Sequence, residues 1–279
     1  MGSTTGKARI VVLTDSLAFV GPKMPHRIDE PRLWPNVMAR LLDAEVEVFG
    51  DFGWTTRHCW YALGHDPRLW AAVSEADAVV LAVGSFDTAP APLPSVLWKL
   101  IAMIRHNRVR HLVHMLHVRA VPRLARLFAH LPRGGPVALP PRLTVHYLRA
   151  SLVLIRRRRR GVPVVGMTPI ACAPKIYGGV HPGQAAGERM MRRWAAEADV
   201  PLLDTVSVLG GHMSSELCNQ DRMHMGWQGH ELMGSAAARL CERVLDRRSV
   251  IEADPLAGEG RCATSSPQRP GELGMRIER

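Results

Sequence analysis

Two short clusters, far apart in the chain, hold the residue types that nucleophilic acyl chemistry needs. Thr14-Asp15-Ser16-Leu17 offers a hydroxyl, and Asp221-Arg222-Met223-His224 offers an imidazole three residues after a carboxylate. A serine hydroxyl is a poor nucleophile at neutral pH; it needs a base, and an imidazole whose second nitrogen is held by a carboxylate is the usual one. Asp and His three apart on a tight turn can form that couple with little chain reorganisation. Ser16, Asp221 and His224 are therefore the candidate catalytic residues, with Ser16 as nucleophile. Each cluster alone has a plainer reading, because Asp15 or Ser16 can simply cap the next helix and an Asp–His pair before a helix is often a capping arrangement.

The position of the clusters among the elements favours chemistry. Ala8 to Thr14 (ARIVVLT) is a β-branched run ending in a polar turn, as a buried parallel strand reads. A helical pattern follows from Pro31 to Asp43, then a strand from Glu45 to Phe49, helices from Arg57 to Leu63 and Arg68 to Ala76, and a strand from Ala78 to Val83. Further strands are read at Val162 to Met167 and Val200 to Leu203, with helices at Gly183 to Glu197 and Gly229 to Leu245. Alternating strand and helix predicts an α/β fold, a central parallel sheet covered on both faces. Ligands of such sheets sit beyond the carboxyl ends of the strands, which is where Ser16 falls.

Residues 1–248 are expected to form one domain. Within it, residues 90–160 read as a helical, basic insertion between the third and fourth strands, and 249–279 as a disordered tail. The net charge of +11 favours anionic partners. Arg105, Arg108, Arg110, Arg119, Arg123 and Arg126 in the insertion suit coenzyme A phosphates, an acidic acceptor, nucleic acid, a membrane surface or plain solvation; the run Arg156 to Arg160 reads as a solvated face. With five Phe and three Tyr in the chain, there is no aromatic interleaving to stack bases, so nucleic acid is not the expected partner. Five cysteines without CxxC spacing argue against a disulfide framework and for a reducing compartment. No HExxH or similar motif occurs, so no metal is expected; His58, His212 and His230 could sit near the site, though a lone histidine near a helix is more often structural. Without a signal-peptide core or a run of apolar residues long enough to span a bilayer, the expected location is cytoplasmic, with no stable membrane insertion.

Four blocks in order resemble those of the SGNH (GDSL) hydrolases: the TDSL after strand one, Asp51 to His58 with Gly53 after strand two, Gly84-Ser85-Phe86-Asp87 after strand three, and the DxxH before the last helix. The resemblance implies a three-layer α/β/α sandwich. It also implies an oxyanion hole built from the backbone N–H groups of Ser16 and Gly53. Two departures stand out: Thr14 replaces the usual Gly of the first block, and Phe86 occupies the place of an Asn whose side chain donates to the oxyanion, which a phenyl ring cannot do. More narrowly, LTDSLAFVGP and DEPRLWPNVMARLL, with the basic insertion, resemble the mycobacterial diglucosylglycerate octanoyltransferases. That likeness implies an acyltransferase moving an octanoyl group from octanoyl-coenzyme A to a glucosylglycerate hydroxyl in methylglucose lipopolysaccharide synthesis. Its small-molecule partners would be an acyl donor and a sugar acceptor, with acyl-CoA as co-substrate and no other cofactor. A plain ester or thioester hydrolase and a non-catalytic basic binding module remain the alternatives. The apolar residues of Leu97 to Ile104 and Leu112 to Leu116 are candidates for an acyl channel, or for ordinary helix packing.

Overall fold

A computed structural model describes residues 6–93, 103–131 and 134–253, with side chains to residue 247. Five parallel strands form one sheet in the order β2-β1-β3-β4-β5. They are β1 (Arg9–Thr14), β2 (Glu45–Gly50), β3 (Ala78–Ala82), β4 (Val164–Met167) and β5 (Leu202–Leu203). Helices α1 (Trp34–Leu42), α2 (Thr56–His65), α3 (Pro67–Glu75), α4 (Asn107–Ala129), α5 (Pro141–Arg158), α6 (Gln184–Ala198), α7 (Thr205–Ser214) and α8 (Trp227–Ala253) connect and cover the strands.

Central β1 is buried on both faces, so its apolar run serves two cores. Ile10 and Val12 point into one, with Trp34 and Met38 of α1 and Ala237 and Cys241 of α8. Val11 and Leu13 point into the other, against Leu63 of α2, Leu69 of α3, Leu148 of α5 and Trp194 of α6. This is the expected sandwich, with helices on both faces of a parallel sheet. The alternation also fixes the register of β1, because a slip of one residue would exchange the two cores.

Helix α7 falls outside the sequence expectation. Its TVSVLGGHMS carries Gly210 and Gly211, which lower helix propensity, but Asp204 caps it by accepting from Ser207 N–H at 3.1 Å, and Leu209 and Met213 are buried. Helix α8 runs to Ala253, past the expected start of the tail at residue 249; the rest of that tail lies outside the described residues. In the 90–160 stretch, α5 buries Leu148, Leu152 and Ile155 along one face. By contrast, α4 buries His117, Val121 and Ala125 while Leu112 and Leu116 are exposed. Leu97 to Ala102 of the suggested acyl channel lie outside the described residues.

The run Arg156 to Arg160 is not uniformly solvated. Arg156 reaches Ala198 C=O at 3.4 Å, the Arg158 guanidinium lies 4.3 Å from the centroid of the Trp70 ring, and Arg159 pairs with Asp77 at 4.0 Å. These contacts tie the end of α5 to α3, α6 and the start of β3, and follow from the long, amphipathic arginine side chain.

Candidate active site

Ser16 opens a short 3-10 turn (Ser16–Ala18) at the carboxyl end of β1. Asp15 caps that turn by accepting from Leu17 N–H at 3.0 Å, so the capping role belongs to Asp15 and the hydroxyl of Ser16 is left for other work. The Ser16 Oγ lies 2.9 Å from His224 Nε2, and His224 Nδ1 lies 2.6 Å from Asp221 Oδ2. A carboxylate only accepts, which assigns the proton on Nδ1 to the bond with Asp221 and leaves the Nε2 lone pair for the Ser16 O–H. Ser16, 208 positions before His224 in the chain, is brought together with the Asp221–His224 pair.

The Asp–His turn is built by its own backbone. Asp221 Oδ1 accepts from Met223 N–H at 2.8 Å and His224 N–H at 3.0 Å, and Arg222 takes a left-handed φ of 58°. Asn219, a residue sequence reasoning missed, locks the turn to the nucleophile loop. Its Oδ1 accepts from Asp221 N–H at 3.0 Å, its Nδ2 donates to Gly21 C=O at 2.7 Å, and its N–H donates to His224 C=O at 3.1 Å. On the other side of the turn, His212 Nε2 accepts from Gly226 N–H at 3.0 Å. His230 Nδ1 accepts from Trp34 N–H at 3.2 Å and its Nε2 donates to Val20 C=O at 3.1 Å. His58 closes a capping box with Thr55 at the start of α2. All three have structural contacts.

Burial raises the Asp221 carboxyl, but the hydrogen bonds from His224 and Met223 outweigh it and hold its pKa below the ordinary value. Asp15 goes the other way: burial pushes it up to about 6, against the opposing help of Leu17 N–H and the nearby His224. A folded-state pKa above the unfolded 3.8 means that the native protein holds more protons between these values. The Asp15 carboxyl therefore costs stability progressively as pH rises from about 4 to about 6, by roughly 3 kcal/mol in all. Asp15→Asn keeps an acceptor for Leu17 and removes the ionisation. Its melting temperature relative to the parent is expected to climb across that window and level off above it; a difference constant from pH 4 to 7 would refute this.

Behind Ser16 lies a small, mainly apolar cavity of about 20 Å³, walled by Leu17, Ser85, Phe86, Ala89, Ile170 and Met223 among others. Cys172 and His181 complete its far side. A chain of hydrogen bonds runs along this wall, and its protons can be assigned in sequence. Thr88 donates its single hydroxyl proton to Ser85 C=O at 2.7 Å, so His181 Nε2 must donate to Thr88 Oγ1 at 2.8 Å. His181 Nδ1 then accepts from the Cys172 thiol at 3.3 Å. Burial keeps this histidine neutral by lowering its pKa to about 4, and burial together with the Asp221 and Asp15 charges pushes the thiol up to about 12. Ser85 Oγ itself accepts from Ile170 N–H at 3.2 Å, which leaves the Ser85 hydroxyl proton available to the cavity.

Gly53 has φ +67°, a conformation that favours glycine, and a Cβ there would stand 3.3 Å from the Phe86 ring and press on it. It stands beside Phe86, although it is not part of the cavity wall around Ser16. Asp87, the last residue of that block, is fully buried and accepts from Thr56 N–H at 2.9 Å, Thr56 Oγ1 at 2.6 Å and Thr144 Oγ1 at 2.7 Å. It thereby ties the loop after β3 to α2 and α5.

Arg105, Arg108, Arg110, Arg119, Arg123 and Arg126 are exposed on and just before α4, and none lines the cavity behind Ser16. Among the described residues no group of three or more His, Cys, Asp or Glu is placed to hold a metal, and no helix is long and apolar enough to cross a membrane. Cys59, Cys172, Cys218 and Cys241 are free thiols.

Solved structures with this architecture include a carbohydrate acetylesterase family member from Sinorhizobium meliloti, 17% identical, covering 86% of this chain and 99% of that one with a TM-score of 0.52. A lipase/acylhydrolase from Enterococcus faecalis is 15% identical, covering 86% of this chain and 96% of that one with a TM-score of 0.53. A member of the lipolytic protein G-D-S-L family from Veillonella parvula DSM 2008 is 12% identical, covering 85% and 99%, with a TM-score of 0.50. At these identities the likeness defines the fold, that of the SGNH (GDSL) class. No family model matches the chain. Among curated proteins, a diglucosylglycerate octanoyltransferase of Mycobacterium tuberculosis (strain ATCC 25618 / H37Rv) is 34% identical over 232 residues, 83% of this chain and 91% of that protein. One from Mycolicibacterium hassiacum is 36% identical over 222 residues, 80% of this chain and 90% of that protein. The chain belongs to the diglucosylglycerate octanoyltransferase family and is an acyltransferase.

Proposed function

We propose that this chain transfers an octanoyl group from octanoyl-coenzyme A to a hydroxyl of a diglucosylglycerate through an acyl-Ser16 intermediate. The observation that carries the reading is the Ser16–His224–Asp221 relay, with links of 2.9 and 2.6 Å, in a relative of named octanoyltransferases. His224 Nε2 takes the Ser16 proton as Oγ attacks the thioester carbonyl. The tetrahedral oxyanion collapses, the carbon–sulfur bond breaks, and the thiolate leaves with the proton from His224. A sugar hydroxyl then gives its proton to His224 and attacks the acyl-serine, and collapse returns the proton to Ser16 Oγ. Asp221 keeps the ring in the productive tautomer and stabilises the imidazolium. We assign the product to methylglucose lipopolysaccharide synthesis as part of the same reading, and free cysteines suit a reducing, cytoplasmic setting.

Three donors serve the oxyanion in this reading: Ser16 N–H at the start of its turn, Gly53 N–H, and the Ser85 hydroxyl in place of the amide that Phe86 lacks. Support for Ser85 comes from its proton, left over once Ile170 N–H occupies its lone pair and Thr88 occupies its carbonyl. Ser85→Ala is expected to slow Ser16 acylation by about 10- to 100-fold per folded molecule, beside a stability loss of about 1–3 kcal/mol from the stranded Ile170 N–H. An acylation rate within twofold of the parent would remove Ser85 from the mechanism.

Incubation with octanoyl-coenzyme A tests the whole reading. An octanoyl mass on the peptide containing Ser16, discharged as ester product when diglucosylglycerate is added, is the expected result. Free octanoate at the same rate with or without acceptor would make the protein a hydrolase, and no acyl mass at all would overturn the covalent route.

A further inference from the structure

A second hollow is lined by the base, His224, and not by Ser16. This groove measures about 650 Å³ and is walled by His224, Asp221, Gln220, Phe52, Lys23 and Lys175 among others. Building on the proposed transferase reading, we infer that it seats the sugar acceptor, with the ammonium groups of Lys23 and Lys175 binding the anionic end of a carboxylate-bearing glycoside.

The first argument is composition. The chain has thirty-two arginines and four lysines, Lys7, Lys23, Lys99 and Lys175, and two of these four stand in the one groove that His224 also lines. Both are exposed, and among the described ion pairs the only lysine is Lys7, with Asp43. The single carboxylate in the groove wall, Asp221, is already engaged by His224 and by two backbone N–H groups. The ammonium groups are thus available to an incoming anion.

The second argument is attachment. Lys175 N–H donates to Asp221 C=O at 2.9 Å, fixing its backbone to the turn that carries the base. The Lys23 loop is held by Asn219 Nδ2 on Gly21 C=O at 2.7 Å, and by Gly21 N–H on Met24 C=O at 3.1 Å. Asn219 belongs to the same Asp–His turn, so both lysine-bearing segments are hydrogen-bonded to the catalytic loop itself. Helix α4 buttresses the Lys175 segment from outside, where Arg126 and the Pro122 carbonyl lie so close to Gly178 that a Cβ has no room.

The third argument is the division of labour between the two hollows. The cavity behind Ser16 is small and lined mainly by apolar groups; the groove is larger, more polar and offers the exposed Phe52 ring as a flat face. An acceptor hydroxyl must reach His224 to lose its proton, and a charge clamp at the far end of the acceptor would hold it there. Such positioning lets a bound hydroxyl outcompete water at the acyl-enzyme.

The test uses the full chain with Lys23→Met, Lys175→Met and the double variant, each checked for an unchanged melting temperature. Two acceptors are compared, diglucosylglycerate and diglucosylglycerol, which differ by the carboxylate. For the acid acceptor, KM is expected to rise about tenfold per lysine with kcat little changed, and its sensitivity to salt should weaken. For the neutral acceptor, KM should be the same in parent and variants. Lys→Arg exchange should recover most of the acid acceptor's KM. An unchanged KM for diglucosylglycerate, or an equal rise for both acceptors, overturns the inference. Slower acylation of Ser16 by octanoyl-coenzyme A, with p-nitrophenyl octanoate unaffected, would assign the lysines to coenzyme A phosphates and also overturn it. Failure of the underlying transferase reading looks different: the parent protein would take up no octanoyl group, or would release free octanoate at the same rate with or without either acceptor.

Discussion

Ser16→Ala is expected to lower octanoyl transfer on the order of 10⁴-fold or more and to leave no acyl mass on the protein after incubation with octanoyl-coenzyme A. The expectation rests on one atom. Ser16 Oγ is the hydroxyl within 2.9 Å of His224 Nε2, and the Cys172 thiol in the same cavity wall is held protonated by a pKa of about 12. A substitute nucleophile is therefore not at hand. His224→Ala should cause a loss of similar size, and the double variant should be no worse than either single one, because the two groups act as a unit. Asp221→Ala should be milder by one or two orders of magnitude, since it leaves the base in place and removes what orients it. Rates from single-turnover acylation and intact-protein mass would check all four proteins. Transfer by Ser16→Ala within a hundredfold of the parent would move the nucleophile elsewhere.

The second large effect is on stability. Asp87→Ala removes the acceptor of three buried hydrogen bonds, from the Thr56 N–H and from the hydroxyls of Thr56 and Thr144. The hydroxyls can turn toward other acceptors, but the backbone N–H at the start of α2 cannot, and a stranded buried donor is costly. Adding the void left by the carboxyl, the loss is about 2–4 kcal/mol, or roughly 5–15 °C in melting temperature for a chain of this size. Asp87→Asn should lose less than half as much, because its amide oxygen still serves Thr56 N–H while the hydroxyls reverse to accept from its NH2. Thermal unfolding followed by circular dichroism decides this; a shift under 2 °C for Asp87→Ala would mean that water replaces the carboxylate without loss. Since Asp87 also anchors the loop that carries Ser85 and Phe86, the alanine variant should lose acylation rate beyond its loss of folded protein.

The fold was legible because each strand of the sheet announces itself locally. Residues 10–13 are apolar without interruption, which suits only a strand buried on both faces, and the two cores that receive Ile10 and Val11 bear this out. Helix α7 was not legible, because its two glycines argue against a helix and its stability comes from the Asp204 cap and the burial of Leu209 and Met213. The Arg156 to Arg160 run misled in the same way: a string of like charges says nothing about Trp70 and Asp77, which are distant in sequence and lie beneath it.

For the site, the chain order of the blocks determined which hydroxyl, imidazole and carboxylate belong together, since a short motif after a strand carries its own position at the strand's carboxyl end. The departure at Phe86 was equally plain from residue type. The proposal of Ser85 for the empty donor role rests only on three dimensions, where Ile170 and Thr88 meet Ser85 and leave its hydroxyl proton over. Asn219 and the two groove lysines belong to the same class. Hydrogen-bond partners and cavity walls depend on pairs of residues far apart in the chain, and residue types read in order cannot specify those distances; packing does.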